Sequence, residues 1–337
     1  MMIREYLKLA RSFNAVLTGI SPVMGAIAMG HYEILSLFLL FLVGFLGHTY
    51  GFVLNDIVDY RIDKSSKEIS DRPLISGTIS IKNAKLFSFI TLMAAFVVSL
   101  YVAYRIQNYY SIIILAISGF FITLYDLISK KYPFTDIFVS LGIFFLILYG
   151  AFTVAGTLSG ITTLAWIVCI IGSVQTLFMQ VVAGGMKDVE NDYKKGAKTL
   201  AIRMGVRISN GSLIVSMGFK SLAYLIQIVN IVLVFLPFYL IWHIQQLSLL
   251  LYFQWIVLAI ITLLMFYLSH KLLSMKQFER IKARKFIGSH YMTNFALVPI
   301  MLMTLNPLAG LLVFFPALGF VLSNIILHGT FLQPKTM

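Results

Sequence analysis

Residues 34 to 64 read ILSLFLLFLVGFLGHTYGFVLNDIVDYRIDK. The first two thirds of this stretch are dominated by apolar residues, whereas the last third carries Asn55, Asp56, Asp59 and Asp63. An apolar run of this length is long enough for a helix to cross a hydrocarbon core of roughly 30 Å. The stretch therefore predicts a transmembrane helix, Ile34 to Leu54, that continues into a polar segment rich in acidic side chains.

The composition of the whole chain agrees with this interpretation. Of 337 residues, 59% are hydrophobic and only 12% are charged, and the mean hydropathy is +0.91, whereas soluble domains carry roughly 25% charged residues. Helices satisfy their own backbone groups in lipid. The sequence predicts an all-α integral membrane protein, with the N-terminal segment retained as the first span because no convincing cleavage site follows it.

Apolar runs suited to crossing a membrane recur along the chain, and no soluble insert separates them. We expect one membrane domain, 1–337, formed by a bundle of nine or ten transmembrane helices. The number is open because the stretch from Arg284 to Leu327 is interrupted at Asn306 and Pro307, which fits either two crossings or one crossing and an interfacial helix. The predicted spans are Ala15 to Gly30, Ile34 to Leu54, Leu86 to Tyr104, Ser111 to Leu127, Phe134 to Ala155, Thr162 to Ala183, Leu222 to Ile241, Leu251 to Lys271, Met292 to Leu305 and Leu308 to Leu327.

The basic residues predict the orientation, because short cytoplasmic loops carry Lys and Arg in excess. With a cytoplasmic N-terminus, both long polar loops, Asn55 to Lys85 and Gly184 to Arg207, fall on the cytoplasmic side. The outer loops then hold essentially Arg105 alone, with Lys220 ambiguous. This distribution also explains the net charge of +13 better than nucleic-acid binding does, since no basic domain with aromatic platforms is present in the sequence.

The first acidic cluster comprises Asn55, Asp56, Asp59 and Asp63. Asn55, Asp59 and Asp63 are spaced i, i+4, i+8, so on a helix they project from nearly one face. Stacked carboxylates repel each other unless a cation lies among them, and hard oxygen ligands suit magnesium or calcium. The spacing therefore indicates a divalent cation site.

The second acidic cluster comprises Asp188 and Asp192, which are again i, i+4 and follow directly after a span, in GGMKDVENDYKKGAKTL. Two such clusters on one membrane face suit magnesium ions with a polyphosphate between them, because magnesium prefers one or two carboxylates plus substrate phosphates. The alternative for each cluster is a solvated acidic cap at a helix end.

Basic side chains lie between the clusters, in SDRPLISGTIS and LYDLISKKYP. Arg72, Lys130 and Lys131 are candidate diphosphate contacts, since Arg offers planar bidentate donors and Lys a compact charge. Ordinary positive-inside charge is the alternative for each of them.

These motifs resemble those of the UbiA superfamily of intramembrane prenyltransferases. The signature NDxxDxxxD stands here as Asn55, Asp56, Asp59 and Asp63, followed by DRPLISG, and DxxxD stands as Asp188 and Asp192. In the Tyr-Ser-x-x-Leu-Lys element, Tyr125 and Lys130 match whereas Asp126 and Ser129 depart. The similarity in motif order extends from the first span to about Gly205, and beyond Arg207 only hydropathy matches.

The resemblance implies Mg2+-dependent transfer of an isoprenyl chain, geranylgeranyl or longer, from its diphosphate to an aromatic quinone precursor or a glycerol-phosphate ether lipid, within helices around a central cavity. The implied metal ligands are Asn55, Asp56, Asp59, Asp63, Asp188 and Asp192. Arg72, Lys130 and Lys187 would hold the diphosphate. The implied catalytic residues are Tyr125, Asp59 and Asp192, with the Tyr125 ring facing the allylic cation; an interfacial belt tyrosine is the alternative for Tyr125.

Two other function classes remain open from the sequence. A multi-span transporter would place charges near the midplane, whereas the acidic residues here cluster at one face. A membrane adaptor would use its cytoplasmic loops to bind a partner or anionic lipid. The intramembrane polar residues His48, Gln175 and Gln180 are functional candidates, but an interhelical hydrogen bond is the favoured interpretation of each.

Overall fold

The structure is a computed structural model that describes residues 2–64, 70–129, 131–196, 199–209, 212–242 and 248–329, except the side chains of Phe13, Ile62, Asn191, Lys194 and Lys195. The described chain is largely helical, as predicted. The described residues also contain a small antiparallel pair of strands, β1 (Arg207–Ser209) and β2 (Ser212–Ile214), in which Ile208 lies opposite Leu213.

Most helices begin and end within a few residues of the predicted spans, but the helix from Ile34 continues past Leu54 to Asp63, and the helix that contains Met292 begins already at Arg280. The α-helices are α1 (Met2–Leu9), α2 (Ser12–Ala28), α3 (Ile34–Asp63), α4 (Ile81–Arg105), α5 (Tyr110–Ile128), α6 (Asp136–Ala155), α7 (Thr163–Phe178), α8 (Gly185–Lys195), α9 (Leu200–Arg203), α10 (Met217–Leu240), α11 (Leu249–Leu273), α12 (Arg280–Leu302) and α13 (Phe314–Ser323). The described part also contains 3₁₀ turns at Leu158–Gly160 and Pro307–Val313 and π-helical turns at Met179–Gly184 and Asn324–His328.

Within the described residues, 8 helical stretches are long and apolar enough to cross a membrane. They are Ile34–Arg61, Ile81–Arg105, Tyr110–Ile128, Asp136–Ala155, Thr163–Glu190, Met217–Leu240, Leu249–Leu273 and Pro307–His328, and Asn14–Ala28 is a shorter apolar helix. The chain is thus a multi-pass integral membrane protein, and every predicted span overlaps a helix. The number of crossings and the orientation stay predictions.

Helix α3 determines where the first acidic cluster lies. Glu33 caps its start by accepting a hydrogen bond from the Ser36 backbone N–H at 2.7 Å, which satisfies one of the open donors of the first turn. Its 30 residues extend about 45 Å, roughly 15 Å more than a hydrocarbon core needs. The surplus accommodates the acidic segment, and the helical spacing predicted for Asn55, Asp59 and Asp63 is confirmed.

The chain divides into two compact units. Unit 1 is formed by the described residues of Met1–Leu127, Phe145–Ala165 and Phe314–Met337, and unit 2 by those of Ile128–Phe144 and Trp166–Val313. The first acidic cluster belongs to unit 1 and the second to unit 2. The single membrane domain expected from the sequence stays a prediction.

Small residues let the helices of unit 1 approach each other closely. A Cβ placed on Gly44 of α3 would lie 2.6 Å from the Thr18 carbonyl oxygen of α2, and a Cβ on Gly150 of α6 would lie 1.8 Å from the Pro22 carbonyl oxygen. Such contacts are how transmembrane helices associate where no hydrophobic driving force acts between them. Thr18 Oγ1 also shares a hydrogen bond with His48 Nδ1 at 2.8 Å, in agreement with the interpretation of His48 as an interhelical contact.

Buried polar side chains connect the helices of unit 2. Gln175 of α7 donates from Nε2 to the Asn294 carbonyl oxygen of α12 at 2.8 Å, and Asn230 of α10 donates from Nδ2 to Asn294 Oδ1 at 2.9 Å. Gln175 therefore makes the interhelical hydrogen bond that was favoured for it. Gln180 is partly buried in the π-helical turn.

The interruption predicted near the C-terminus is present. Helix α12 ends at Leu302, and the chain resumes as a 3₁₀ turn at Pro307. Proline has no backbone N–H and is favoured at the start of a helical turn, where that donor would be unpaired in any case. In unit 1, α13 packs against α2, where a Cβ on Gly319 would lie 2.6 Å from Val16 Cγ2.

Candidate active site

The carboxylates of the first acidic cluster are buried at the polar end of α3. Asp56, Asp59 and Asp63 are 5%, 7% and 8% exposed, and Asn55 is partly buried. A solvated helix cap would leave such groups open to water. Because all three are buried, the solvated-cap alternative does not fit this cluster. Burying a carboxylate without paired charge costs several kcal/mol, so these groups need cationic partners.

Arginines from two other parts of unit 1 pair with two of these carboxylates, Asp56 and Asp63. Arg11 Nη2 donates to Asp56 Oδ1 at 2.7 Å. Arg72 Nη1 donates to Asp63 Oδ2 at 2.8 Å and lies 3.4 Å from Asp56 Oδ1. Arg72, predicted as a diphosphate contact, thus contacts two carboxylates of the proposed metal motif.

Arg11 was not identified from the sequence. It connects α1 and α2 in a left-handed conformation, with φ 47° and ψ 47°, which costs a non-glycine residue on the order of 1–3 kcal/mol. Its guanidinium also lies 4.9 Å from the centre of the Phe52 ring. The only sequence signal was a basic residue directly before an apolar run, and positive-inside charge accounts equally well for that.

Asn55 makes a contact that the motif alone does not predict. Its Nδ2 donates to Asp126 Oδ1 at 3.2 Å, and Asp126 is only 4% exposed in the last turn of α5. Tyr125, the residue before it, is partly buried, and its role beside an allylic cation stays a prediction. Lys130 lies outside the described residues, and Lys131 is exposed.

The second acidic cluster lies on α8, directly after the π-helical turn Met179–Gly184. Such turns insert one extra residue into the helical ladder and often occur at functional sites. Gly185 begins α8 with so little space that a Cβ there would lie 2.7 Å from Ala201 Cβ. Close packing of unit 2 therefore fixes the start of the helix that carries Asp188 and Asp192.

Basic side chains surround Asp188. Lys187 Nζ lies 3.4 Å from its Oδ2, and Arg280 Nη2 of α12 donates to its Oδ1 at 3.2 Å. Lys187 was predicted as a diphosphate contact, whereas Arg280 was missed because nothing in the sequence relates α12 to α8. The Asp188 side chain is 38% exposed, so burial does not separate a metal ligand from a solvated cap here. Asp192 is partly buried.

Arg280 and Arg284 lie one turn apart on α12, and both are partly buried. Burial, followed by the neighbouring charge of Arg284, lowers the pKa of Arg280 to about 10. Burial also lowers the pKa of Arg284, against which the charge of Asp188 acts. Because about 10 is still far above neutral pH, Arg280 remains a cation beside Asp188 under ordinary conditions.

The donor groups fit magnesium bound together with phosphate. Amide and carboxylate oxygens are the ligands that Mg2+ prefers, and it takes only one or two carboxylates beside substrate oxygens and water. In the described part of the chain, no group of three or more His, Cys, Asp or Glu side chains is assembled as a self-sufficient metal cage. Asp126 Oδ2 is buried without a hydrogen-bond partner, which leaves an acceptor oxygen open beside Asn55.

Comparison with known proteins finds relatives in sequence and in fold. Digeranylgeranylglyceryl phosphate synthase of Methanocaldococcus jannaschii is 30% identical over 206 residues, which cover 60% of this chain and 68% of that protein. The fold resembles the apo structure of a UbiA homolog from Aeropyrum pernix K1, with a TM-score of 0.66, 11% identity and coverage of 88% of this chain and 98% of that one.

A second solved structure, a UbiA homolog from Archaeoglobus fulgidus bound to GPP and Mg2+, has a TM-score of 0.62 and 14% identity, and the match covers 94% of this chain and 99% of that one. At these identities the two structures support the fold. The model of the UbiA prenyltransferase family matches residues 15–290, a range that contains both acidic clusters. The chain belongs to the UbiA prenyltransferase family.

Proposed function

We propose that this prenyltransferase uses Mg2+ to transfer a geranylgeranyl chain from its diphosphate to the hydroxyl of a glycerol-phosphate ether lipid. The observation that carries the proposal is the buried set of motif carboxylates at the end of an apolar helix, held by Arg11 and Arg72. An isoprenyl diphosphate requires a site of this kind, in which apolar helices contact the isoprenyl chain and cations bind the diphosphate group.

The relatives support the choice of acceptor. Digeranylgeranylglyceryl phosphate carries two geranylgeranyl ethers on one glycerol, so its synthesis by prenyl transfer requires a glyceryl phosphate that already bears one ether. The synthase from M. jannaschii is named for this product. This favours the ether-lipid acceptor over the aromatic quinone precursor, which the sequence left equally open.

The reaction breaks the allylic carbon–oxygen bond, and the diphosphate leaves with the electron pair. The acceptor hydroxyl oxygen then bonds to the allylic carbon, and its proton passes to water or a base. Bound Mg2+ would neutralise the charge that develops on the leaving diphosphate. Asn55, Asp59 and Asp63, and separately Asp188 and Asp192, would supply oxygen ligands.

Cationic side chains have a second task in this proposal. Arg72 and Lys187 already lie on motif carboxylates, so they fix the carboxylates and place positive charge beside the diphosphate. Arg280 acts in the same way on Asp188. Lys130 and the Tyr125 ring keep the roles that the motif match implies for them, diphosphate contact and cation–π attraction.

Purified full-length protein in lipid nanodiscs tests the proposal. With geranylgeranyl diphosphate, geranylgeranylglyceryl phosphate and Mg2+, we expect diphosphate release and a product of the mass of the diether. Chelation with EDTA should stop both. A hydroxybenzoate in place of the lipid acceptor serves as the competing substrate, and its preferred prenylation would overturn the acceptor assignment.

The orientation belongs to the proposal as well. A cytoplasmic N-terminus would place both acidic clusters on the cytoplasmic side, in agreement with the excess of Lys and Arg in the loops that contain them. The head group of an isoprenyl diphosphate is too highly charged to cross lipid unaided, so the side on which the acidic clusters lie determines which pool of substrate they meet. Absence of diphosphate release with every acceptor tried, together with substrate flux across liposomes, would instead support a transporter.

A further inference from the structure

Asp126 is a buried acid that the motifs do not account for. It lies in the last turn of α5, inside a candidate membrane span, and is 4% exposed. Acidic side chains are rare at such positions because burying their charge is costly. At this position the sequence also departs from the family element, in which serine follows the tyrosine. An acid there needs a physical reason.

The contact with Asn55 supplies one. Asn55 Nδ2 donates to Asp126 Oδ1 at 3.2 Å. The NH2 and C=O ends of an asparagine amide are nearly equal in size, but only the NH2 end can donate a hydrogen bond. An accepting carboxylate oxygen therefore selects the NH2 end. The pairing therefore directs the Asn55 nitrogen toward α5 and leaves the amide oxygen, the hard ligand of the pair, available on α3.

The helices around this contact are held close together. A Cβ on Gly51, one turn before Asn55, would lie 2.9 Å from Ile122 Cγ2 and 3.9 Å from Asp126 Oδ2. The hydroxyl groups of Tyr50 and Thr123 are 2.8 Å apart. These contacts place the segment of α3 around Asn55 against the C-terminal turns of α5, where Asn55 and Asp126 form their hydrogen bond.

A direct role as a metal ligand is the alternative for Asp126. It lies within electrostatic range of Asp59 and Asp56, and its Oδ2 is buried without a hydrogen-bond partner. Its Oδ1, however, already accepts the hydrogen bond from Asn55, and this contact is the one on which the proposal rests.

We propose that Asp126 is a positioning residue, which holds the Asn55 amide so that its oxygen is presented to Mg2+. The inference rests on the proposed function, because it assigns Asn55 to the metal. Partners of metal ligands in proteins typically change metal affinity by about 10–100-fold when they are removed.

The test measures metal binding directly, with Mn2+ as the probe and the electron paramagnetic resonance signal of free Mn2+ as the readout, on full-length protein in nanodiscs. Asp126→Leu removes the acceptor at similar size, and we expect the Kd for Mn2+ to rise about tenfold or more. Asp126→Asn keeps an acceptor oxygen for Asn55 and should recover most of the affinity lost in Asp126→Leu.

A charge swap sharpens the distinction. Asn55→Asp alone places two carboxylates against each other and should weaken Mn2+ binding. The double variant N55D/D126N restores one donor and one acceptor and should bind Mn2+ more tightly than N55D. If Asp126 were itself a ligand, adding Asp126→Asn to N55D would remove a carboxylate ligand, so N55D/D126N would bind Mn2+ more weakly than N55D, and that result would overturn the proposal.

Thr123→Val is the matched control, because it removes another α3–α5 hydrogen bond one turn away and should leave the Kd for Mn2+ unchanged. Asp59→Asn separates the two levels of the argument. If Asp59→Asn leaves Mn2+ binding intact, the metal site of the proposed function fails. If Asp59→Asn abolishes it while Asp126→Leu does not alter it, only the role of Asp126 fails.

Discussion

At the scale of single residues, the arginines explain how α3 can carry two of its three buried carboxylates, Asp56 and Asp63. Each of Arg11 and Arg72 reaches the cluster from outside α3, and together they hold Asp56 and Asp63. Truncating one partner of a buried ion pair typically costs about 3–5 kcal/mol, because the other charge is left uncompensated. The pairs therefore matter for both the stability and the charge balance of the site.

One aspartate from each acidic cluster provides the most direct prediction. Asp59→Ala and Asp188→Ala should each abolish turnover, since loss of several kcal/mol of charge stabilisation corresponds to roughly 100-fold or more in rate. The initial rate of diphosphate release at saturating geranylgeranyl diphosphate measures this. Glu33→Gln, at an exposed helix cap, is the control. Unchanged turnover in both Asp variants would remove the metal assignment.

Arg11 allows charge and backbone strain to be separated. Arg11→Ala and Arg11→Gly both leave Asp56 without its 2.7 Å partner, so both should lower kcat/KM by about tenfold, as expected for a hydrogen bond to a charged group. Glycine adopts the positive φ without strain, so Arg11→Gly should melt at a higher temperature than Arg11→Ala.

Lys8→Ala is the control for the Arg11 variants, since Lys8 forms only a local pair with Glu5 and such pairs contribute little. Melting temperatures come from scanning fluorimetry of the purified protein. Equal melting temperatures for the two Arg11 variants would mean that the left-handed conformation stores no strain.

At the scale of helices, close packing of α2 and α3 positions the first acidic cluster. On Gly44 a Cβ would lie 2.6 Å from a backbone oxygen, whereas on Gly47, three residues later, it would meet nothing within 4 Å. Gly44→Ala should therefore lower the melting temperature. Gly47→Ala should raise it slightly, because alanine in a helix is favoured over glycine by roughly 0.5–1 kcal/mol. A fall of equal size in both would contradict the packing argument.

The helices were largely predictable from the sequence, and the contacts between them were not. Hydropathy located the membrane-crossing helices, but it ended the second span at Leu54 and assigned the next residues to a loop, whereas α3 continues to Asp63. The π-helical turn before α8 depends on how its backbone packs, which leaves no simple pattern. The pairs Arg11–Asp56, Arg280–Asp188 and Asn55–Asp126 join residues far apart in sequence, so no local spacing could reveal them.

At the scale of the whole molecule, one cysteine makes the proposed orientation accessible to experiment. Cys169 is free and fully buried, so the wild-type protein should react little with a membrane-impermeant maleimide. Exposed positions lie on both predicted sides, with Thr78 in the cytoplasmic loop after α3 and Ser159 in the outer loop after α6. Each can carry a single new cysteine without touching either acidic cluster.

In intact cells, Ser159→Cys should react with the impermeant maleimide, whereas Thr78→Cys should react only after the membrane is permeabilised. The physical reason is that Lys and Arg are retained on the cytoplasmic side during insertion, and the loop around Thr78 is rich in them while the loop around Ser159 has none. The reverse pattern would invert the topology and place the acidic clusters outside the cell. Reaction of both variants in intact cells would mean that the two loops share the outer side, which is incompatible with the predicted succession of spans.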